Sequence, residues 1–149
     1  MNLKRTFIFL AVTFSITINL LISSPAMALG SSPLSGLISL KNLAQNATPY
    51  EEAIANGKPT LLEFYADWCS TCQGMSGTIE KLEAQYGDRV NLVMLDIDDP
   101  QWDELGQQYK VTGIPQYNFL DADENKIESF IGKVPQSILA QTFEKLVGG

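Results

Sequence analysis

The sequence predicts an α/β fold in which a mixed sheet is flanked by helices and preceded by an N-terminal hydrophobic segment. Three observations predict it. Thr60 to Tyr65 is an apolar and aromatic run of strand length, and a stretch of helical period follows, with Met75, Ile79, Leu82 and Tyr86 at steps of four, three and four. Val90 to Ile97 is a second apolar run, with another helical stretch behind it. Gln116 to Leu120 and Lys126 to Ile131 then flank a polar turn and lead into a last amphipathic segment. Strands alternating with helices, then a hairpin and a closing helix, make a sandwich around a mixed sheet.

Taken in order, the chain opens with a targeting segment. Lys4 and Arg5 precede Thr6 to Ile22, a mainly apolar run of seventeen residues, just short of the eighteen or so expected of a spanning helix. Ala26-Met27-Ala28 supplies the small residues that a signal peptidase requires. Residues 1–28 are therefore a signal peptide cleaved near Ala28 or a retained membrane anchor, the alternative being a buried core helix. In both export readings Lys4 and Arg5 stay on the cytoplasmic side. Gly30 to Gly36 holds three Ser and one Pro and opens an expected linker over residues 29–47. The folded domain is expected over 48–149. Setting Lys4 and Arg5 aside leaves 8 basic and 17 acidic side chains. That balance argues against nucleic-acid or anionic-membrane binding and for simple solubility.

Thr48-Pro49-Tyr50-Glu51 has the form of a capping box with Pro at the first helical position, and Asn56-Gly57 closes the short helix it would start. A strand over Thr60 to Tyr65 and a helix over Ser70 to Tyr86 come next. Gly87-Asp88 turns the chain into Val90 to Ile97, whose continuous apolar character predicts a buried central strand. Asp98 or Asp99 caps a helix over Pro100 to Tyr109, with Trp102 and Leu105 on its inner face. The hairpin turns at Asp121 to Asn125. The last helix uses Ile138, Leu139, Phe143, Leu146 and Val147.

The only two cysteines, Cys69 and Cys72, sit three positions apart where the first strand hands over to the long helix. Unpaired N–H groups and the dipole at a helix N-terminus favour an anion, and a thiolate is one. A structural zinc site needs four ligands, and the chain has two Cys and no His. Haem attachment needs His after the second cysteine, where Gln73 stands. As a structural staple, so short a loop gains less than the roughly 3 kcal/mol of a fifteen-residue one. Thiol chemistry remains, with two unrelated buried thiols as the alternative.

Glu63-Phe64-Tyr65-Ala66-Asp67-Trp68-Cys69-Ser70-Thr71-Cys72 resembles the active site of the thioredoxin superfamily. The resemblance continues at Gly113-Ile114-Pro115 and Gly132 and covers roughly Thr48 to Val147. It implies a thioredoxin-like three-layer sandwich. Together with the leader, Pro49-Tyr50, Ala53 to Asn56 and Lys58-Pro59-Thr60, the segment is most similar to the membrane-anchored thioredoxin-like proteins of thylakoids and cyanobacteria. Three departures stand out. Ser70-Thr71 replaces the Gly-Pro of ordinary thioredoxins, Met94 replaces a buried Lys, and Gly77 stands where many members kink the helix with Pro.

Cys69, nearest the helix end and preceded by Trp68, is expected to attack, and Cys72 to resolve the mixed disulfide. The resemblance places Glu63 as a buried carboxylate beneath Cys72. Desolvation would raise its pKa and let it take the Cys72 proton; an exposed edge-strand Glu is the alternative. The resemblance also implies a cis Pro115 whose loop, with Ile114, receives an extended substrate as an added strand; an ordinary trans turn is the alternative. Tyr65, Trp68 and Tyr117 are candidates for the contact surface, with core packing an equal explanation for Tyr65. The expected activity is thiol-disulfide exchange with disulfides of exported proteins, with no cofactor or metal beyond the Cys69–Cys72 pair. The resemblance adds a reductive role in cytochrome assembly and a membrane thiol-electron carrier as partner. The expected form is a monomer on the exported side of a membrane, in the thylakoid lumen or periplasm, without nucleic-acid partners. A non-catalytic thioredoxin-fold binding module, a redox sensor and a disulfide-forming oxidant are the alternatives.

Overall fold

The computed structural model of the chain describes residues 33–148. The expected signal peptide or anchor, residues 1–28, lies outside the described residues. Helix α1 (Pro33–Asn46) leads to α2 (Tyr50–Ala55), β1 (Thr60–Tyr65), α3 (Ser70–Tyr86) and β2 (Asn91–Asp96). A 3-10 turn (Pro100–Trp102) runs into α4 (Asp103–Gln108), and β3 (Gln116–Leu120), β4 (Lys126–Ile131) and α5 (Gln136–Val147) complete the fold. The strands form one sheet in the order β2-β1-β3-β4. β1 pairs parallel with β2 and antiparallel with β3, and β3 pairs antiparallel with β4. Among the described residues, no helix is long and apolar enough to cross a membrane.

Alternation along β1 sorts the core. Leu62 and Phe64 pack with Val93, Leu95 and Leu120 under Ala53 of α2 and Tyr109 after α4. Leu61 points the other way, with Leu92, Tyr117 and Phe119, against Met75, Ile79, Leu82 and Tyr86 of α3 and Leu139 and Phe143 of α5. Both sheet faces are thus covered, as a three-layer sandwich requires. Phe143 stacks on Tyr86, their ring centroids 4.9 Å apart, and meets Phe119 edge-on at 5.3 Å.

Three expectations need correction. The larger part of the expected linker over 29–47 is helix α1, which buries Leu40 and Leu43. Gly36 lets α1 approach α3 closely: a Cβ there would lie 2.8 Å from the Gln73 carbonyl oxygen. Ser76 Oγ donates across the same seam to Gly36 O at 3.3 Å. Secondly, β2 is an edge strand among the described residues, not a central one. Its apolar run reflects two covered faces, whereas position in a sheet depends on its ladder partners. Thirdly, no capping box forms at α2. Its cap is Pro49, without a side-chain bond, and the Thr48 N–H instead donates to Leu92 O at 2.8 Å.

Candidate active site

β1 ends in a tight turn, Asp67-Trp68, that delivers Cys69 to the N-terminus of α3. Cys69 is the cap itself, with extended backbone, and its Sγ accepts the Cys72 N–H at 3.1 Å. A sulfur here receives a helix donor that would otherwise be orphaned. The two cysteines form a disulfide with Cα atoms 5.2 Å apart. Cys72 is completely buried while Cys69 keeps 6 % of its surface. Only Cys69 thus offers an approach from outside, and in this oxidised form the opening is narrow. Both lie in a cluster with Leu40, Tyr65 and Ala66, flanked by Met94, Ile97 and Ile114.

The turn is held on several sides. Gln73 Nε2 donates to Asp67 O at 2.7 Å, and Lys41 of α1 forms an ion pair with the Asp67 carboxylate. Trp68 is 65 % exposed, and its Nε1–H donates to Asp98 Oδ2 at 2.7 Å. Asp99, not Asp98, caps the following turn, accepting from the Gln101 N–H. Of the three aromatic candidates for a contact surface, only Trp68 is exposed there, and Tyr65 follows the core-packing alternative. Tyr65 and Tyr117 are buried in the core, Tyr117 because its β3 position faces α3.

The Ile114–Pro115 peptide is cis. Pro115 is buried and Ile114 half-buried, with Ile114 packed against the cysteine cluster. The Pro115 carbonyl accepts from Gly132 N at 2.8 Å, and Gly132 has φ +80°, a conformation that suits glycine. Among the described residues, neither the N–H nor the C=O of Ile114 has a backbone hydrogen-bond partner.

Glu63 sits in the middle of β1, paired on one side with Met94 and on the other with Tyr117. Alternation puts it on the α3 face of the sheet. It is 1 % exposed, and its Oε2 has no hydrogen-bond partner among the described residues. Burial without a countercharge pushes its pKa from the ordinary 4.5 up to about 8.

The structure therefore brings Cys69, Cys72, Trp68 and Ile114 to one end of the sheet, with Glu63 buried one layer below. Three neighbours escaped the sequence reading: Asp98 as the partner of Trp68, Leu40 from α1, and Tyr117 beside Glu63.

Residues 41–145 match the family model "Thioredoxin". The chain is 46% identical over 114 residues to the thioredoxin-like protein HCF164, chloroplastic, of Oryza sativa, a match covering 76% of this chain and 44% of that protein. It is 47% identical over 121 residues to the thiol:disulfide interchange protein TxlA of Synechococcus elongatus, covering 81% of this chain and 63% of that one. The chain thus spans roughly half to two thirds of the length of these relatives. The crystal structure of the germline-specific thioredoxin Deadhead from Drosophila melanogaster superposes with a TM-score of 0.58 at 31% identity, covering 66% of this chain and 91% of that one. With a disulfide at the helix N-terminus and this match over most of its length, the chain belongs to the thioredoxin family, as a thioredoxin-like domain of the thiol-disulfide oxidoreductase type.

Proposed function

We propose that the protein passes reducing equivalents from its Cys69–Cys72 dithiol to disulfides of other proteins. The observation that carries this reading is Cys69 Sγ capping α3 while Cys72 lies fully buried behind it. The Cys69 thiolate attacks one sulfur of a partner disulfide. A Cys69–partner disulfide forms, and the other partner sulfur leaves as a thiolate. Cys72 then loses its proton to Glu63 in its ionised form, which the carboxyl reaches as the pH approaches 8, and attacks Cys69 Sγ. The Cys69–Cys72 bond forms, the bond to the partner breaks, and the partner leaves as a dithiol after taking up protons. Two electrons have moved, and no cofactor is needed.

Glu63 suits the second step because its carboxyl titrates near 8, close to the roughly 8.5 of a free thiol. Proton transfer between groups so matched costs little. The N–H and C=O of Ile114, beside the cysteines and without backbone partners among the described residues, are the groups that would pair with an extended partner segment, with exposed Trp68 as its flanking contact.

Whole-protein context follows from the N-terminal segment and the relatives. The leader with Lys4 and Arg5 supports an exported position, in a thylakoid lumen or periplasm, anchored or released near Ala28. Likeness to a chloroplastic thioredoxin-like protein and a thiol:disulfide interchange protein supports thiol-disulfide exchange, and the resemblance to membrane-anchored thioredoxin-like proteins implies a reductive role in cytochrome assembly, fed by a membrane thiol carrier. The protein acts there as a monomer. Reduction of insulin in the presence of dithiothreitol tests the activity. Wild type should precipitate insulin chains catalytically, and Cys69→Ser should not. No turnover by wild type would leave a binding module or a sensor.

A further inference from the structure

Tyr117 is the neighbour of Glu63 across the antiparallel β1–β3 ladder, so the two side chains leave the sheet on the same face, with Cβ atoms about 5 Å apart. Tyr117 is completely buried. Its hydroxyl and Glu63 Oε2 are both without hydrogen-bond partners among the described residues. A phenylalanine would fill the same space without an oxygen to desolvate, so a buried phenol beside a buried carboxyl calls for a reason. On the other side of Glu63 the ladder offers only the thioether of Met94.

We propose that Tyr117 is a positioning residue for the resolving step: its hydroxyl donates a hydrogen bond to the Glu63 carboxylate, directly or through one water, and favours the ionised form that accepts the Cys72 proton. This rests on the role proposed for Glu63 above. Burial and the nearby Glu63 push the Tyr117 phenol well above its ordinary value, so it keeps its proton and remains a donor wherever the reaction runs. In this arrangement both orphaned oxygens, the Tyr117 hydroxyl and Glu63 Oε2, would gain a partner. The other titratable groups facing this space are Tyr65 on β1, Asp96 at the end of β2, and Cys69 and Cys72 on α3. Among the described residues, the lysines of the helices packed over it, Lys41 of α1, Lys81 of α3 and Lys145 of α5, are all exposed. Lys41 of α1 is exposed and paired with Asp67, and Glu144 of α5 accepts from Tyr86.

The test uses the full chain in the oxidised state, where neither cysteine titrates. The Glu63 carboxyl is followed by carbon NMR across pH, in wild type and in Tyr117→Phe. Loss of a hydrogen bond to a charged acceptor should move the Glu63 midpoint up by about one to two pH units. In the reduced protein, the pH midpoint for decay of the mixed disulfide should move by the same amount in rapid-mixing experiments. A folded Tyr117→Phe with both midpoints unmoved overturns the inference while leaving Glu63 as the acceptor. A resolving step indifferent to Glu63→Gln overturns the reading beneath it, and the inference with it. One measurement needs no substitution at Tyr117. The ring carbon bearing its hydroxyl should report the Glu63 titration in wild type and stay flat in Glu63→Gln. A flat wild-type trace shows that the two groups are not joined.

Discussion

Replacing Glu63 by Gln removes a titrating carboxyl from a fully buried position while keeping the side chain's shape. In the folded protein this carboxyl holds its proton up to about pH 8, whereas in the unfolded chain it releases it near 4.5. The sign follows: its contribution to stability is whole below about 4.5 and is lost as the pH rises through 8. Each pH unit in that window costs about 1.36 kcal/mol, about 5 kcal/mol in total. About 4 kcal/mol of this falls between pH 5 and pH 9, and a Tyr117 hydrogen bond of one pH unit's strength brings the figure to about 3 kcal/mol. The assay is urea unfolding of the oxidised protein at several pH values, followed by tryptophan fluorescence. Other carboxylates titrate in both proteins, so the difference between wild type and Glu63→Gln isolates Glu63. The Glu63→Gln variant should gain on wild type steadily across the window. Parallel curves, differing by less than about 1 kcal/mol in their change from pH 5 to pH 9, would refute the claim that burial holds this group neutral.

In the reduced protein near pH 7, iodoacetamide should label Cys69 well before Cys72, because only the former keeps any exposed surface; peptide mapping with equal or reversed labelling would remove the assignment of roles. Gly36→Ala puts a Cβ against the Gln73 carbonyl and should cost about 1–3 kcal/mol in chemical denaturation, whereas an unchanged midpoint would mean that α1 is not packed on α3. Asp98→Ala removes the acceptor of the Trp68 indole N–H. It should raise the mobility of Trp68 in fluorescence anisotropy and slow reduction of protein disulfides several-fold, with global stability changing by about 1 kcal/mol or less.

The parts of this fold that could be read in the sequence are those where one local pattern decides the outcome. Thr60–Tyr65 and Ser70–Tyr86 carry their period and their boundary in the residues themselves, and the Asp121 to Asn125 turn marks the hairpin. Helix α1 escaped because Gly30, Ser31, Ser32, Pro33 and Gly36 look like linker, while its reason to be helical lies in α3, onto which Leu40, Leu43 and Gly36 fit. The edge position of β2 was hidden for a related reason: helices cover both its faces, and side chains do not record which neighbours its backbone finds. At the site, a lone carboxyl in an apolar run made Glu63 visible. Tyr117 and Asp98 were not visible as its counterpart and as the Trp68 acceptor, because those pairings depend on register and on a loop returning from thirty residues away.

A redox titration of the Cys69–Cys72 couple against a defined thiol-disulfide buffer, read by mass after alkylation, tests the central claim most directly. Such folds span about −270 mV for thioredoxin to about −120 mV for a strong oxidant, a range of about 7 kcal/mol for two electrons. A protein that reduces its partners' disulfides should titrate toward the thioredoxin end, at roughly −220 mV or below. A midpoint near −120 mV would contradict the account, because the same two cysteines would then be built to make disulfides rather than to break them.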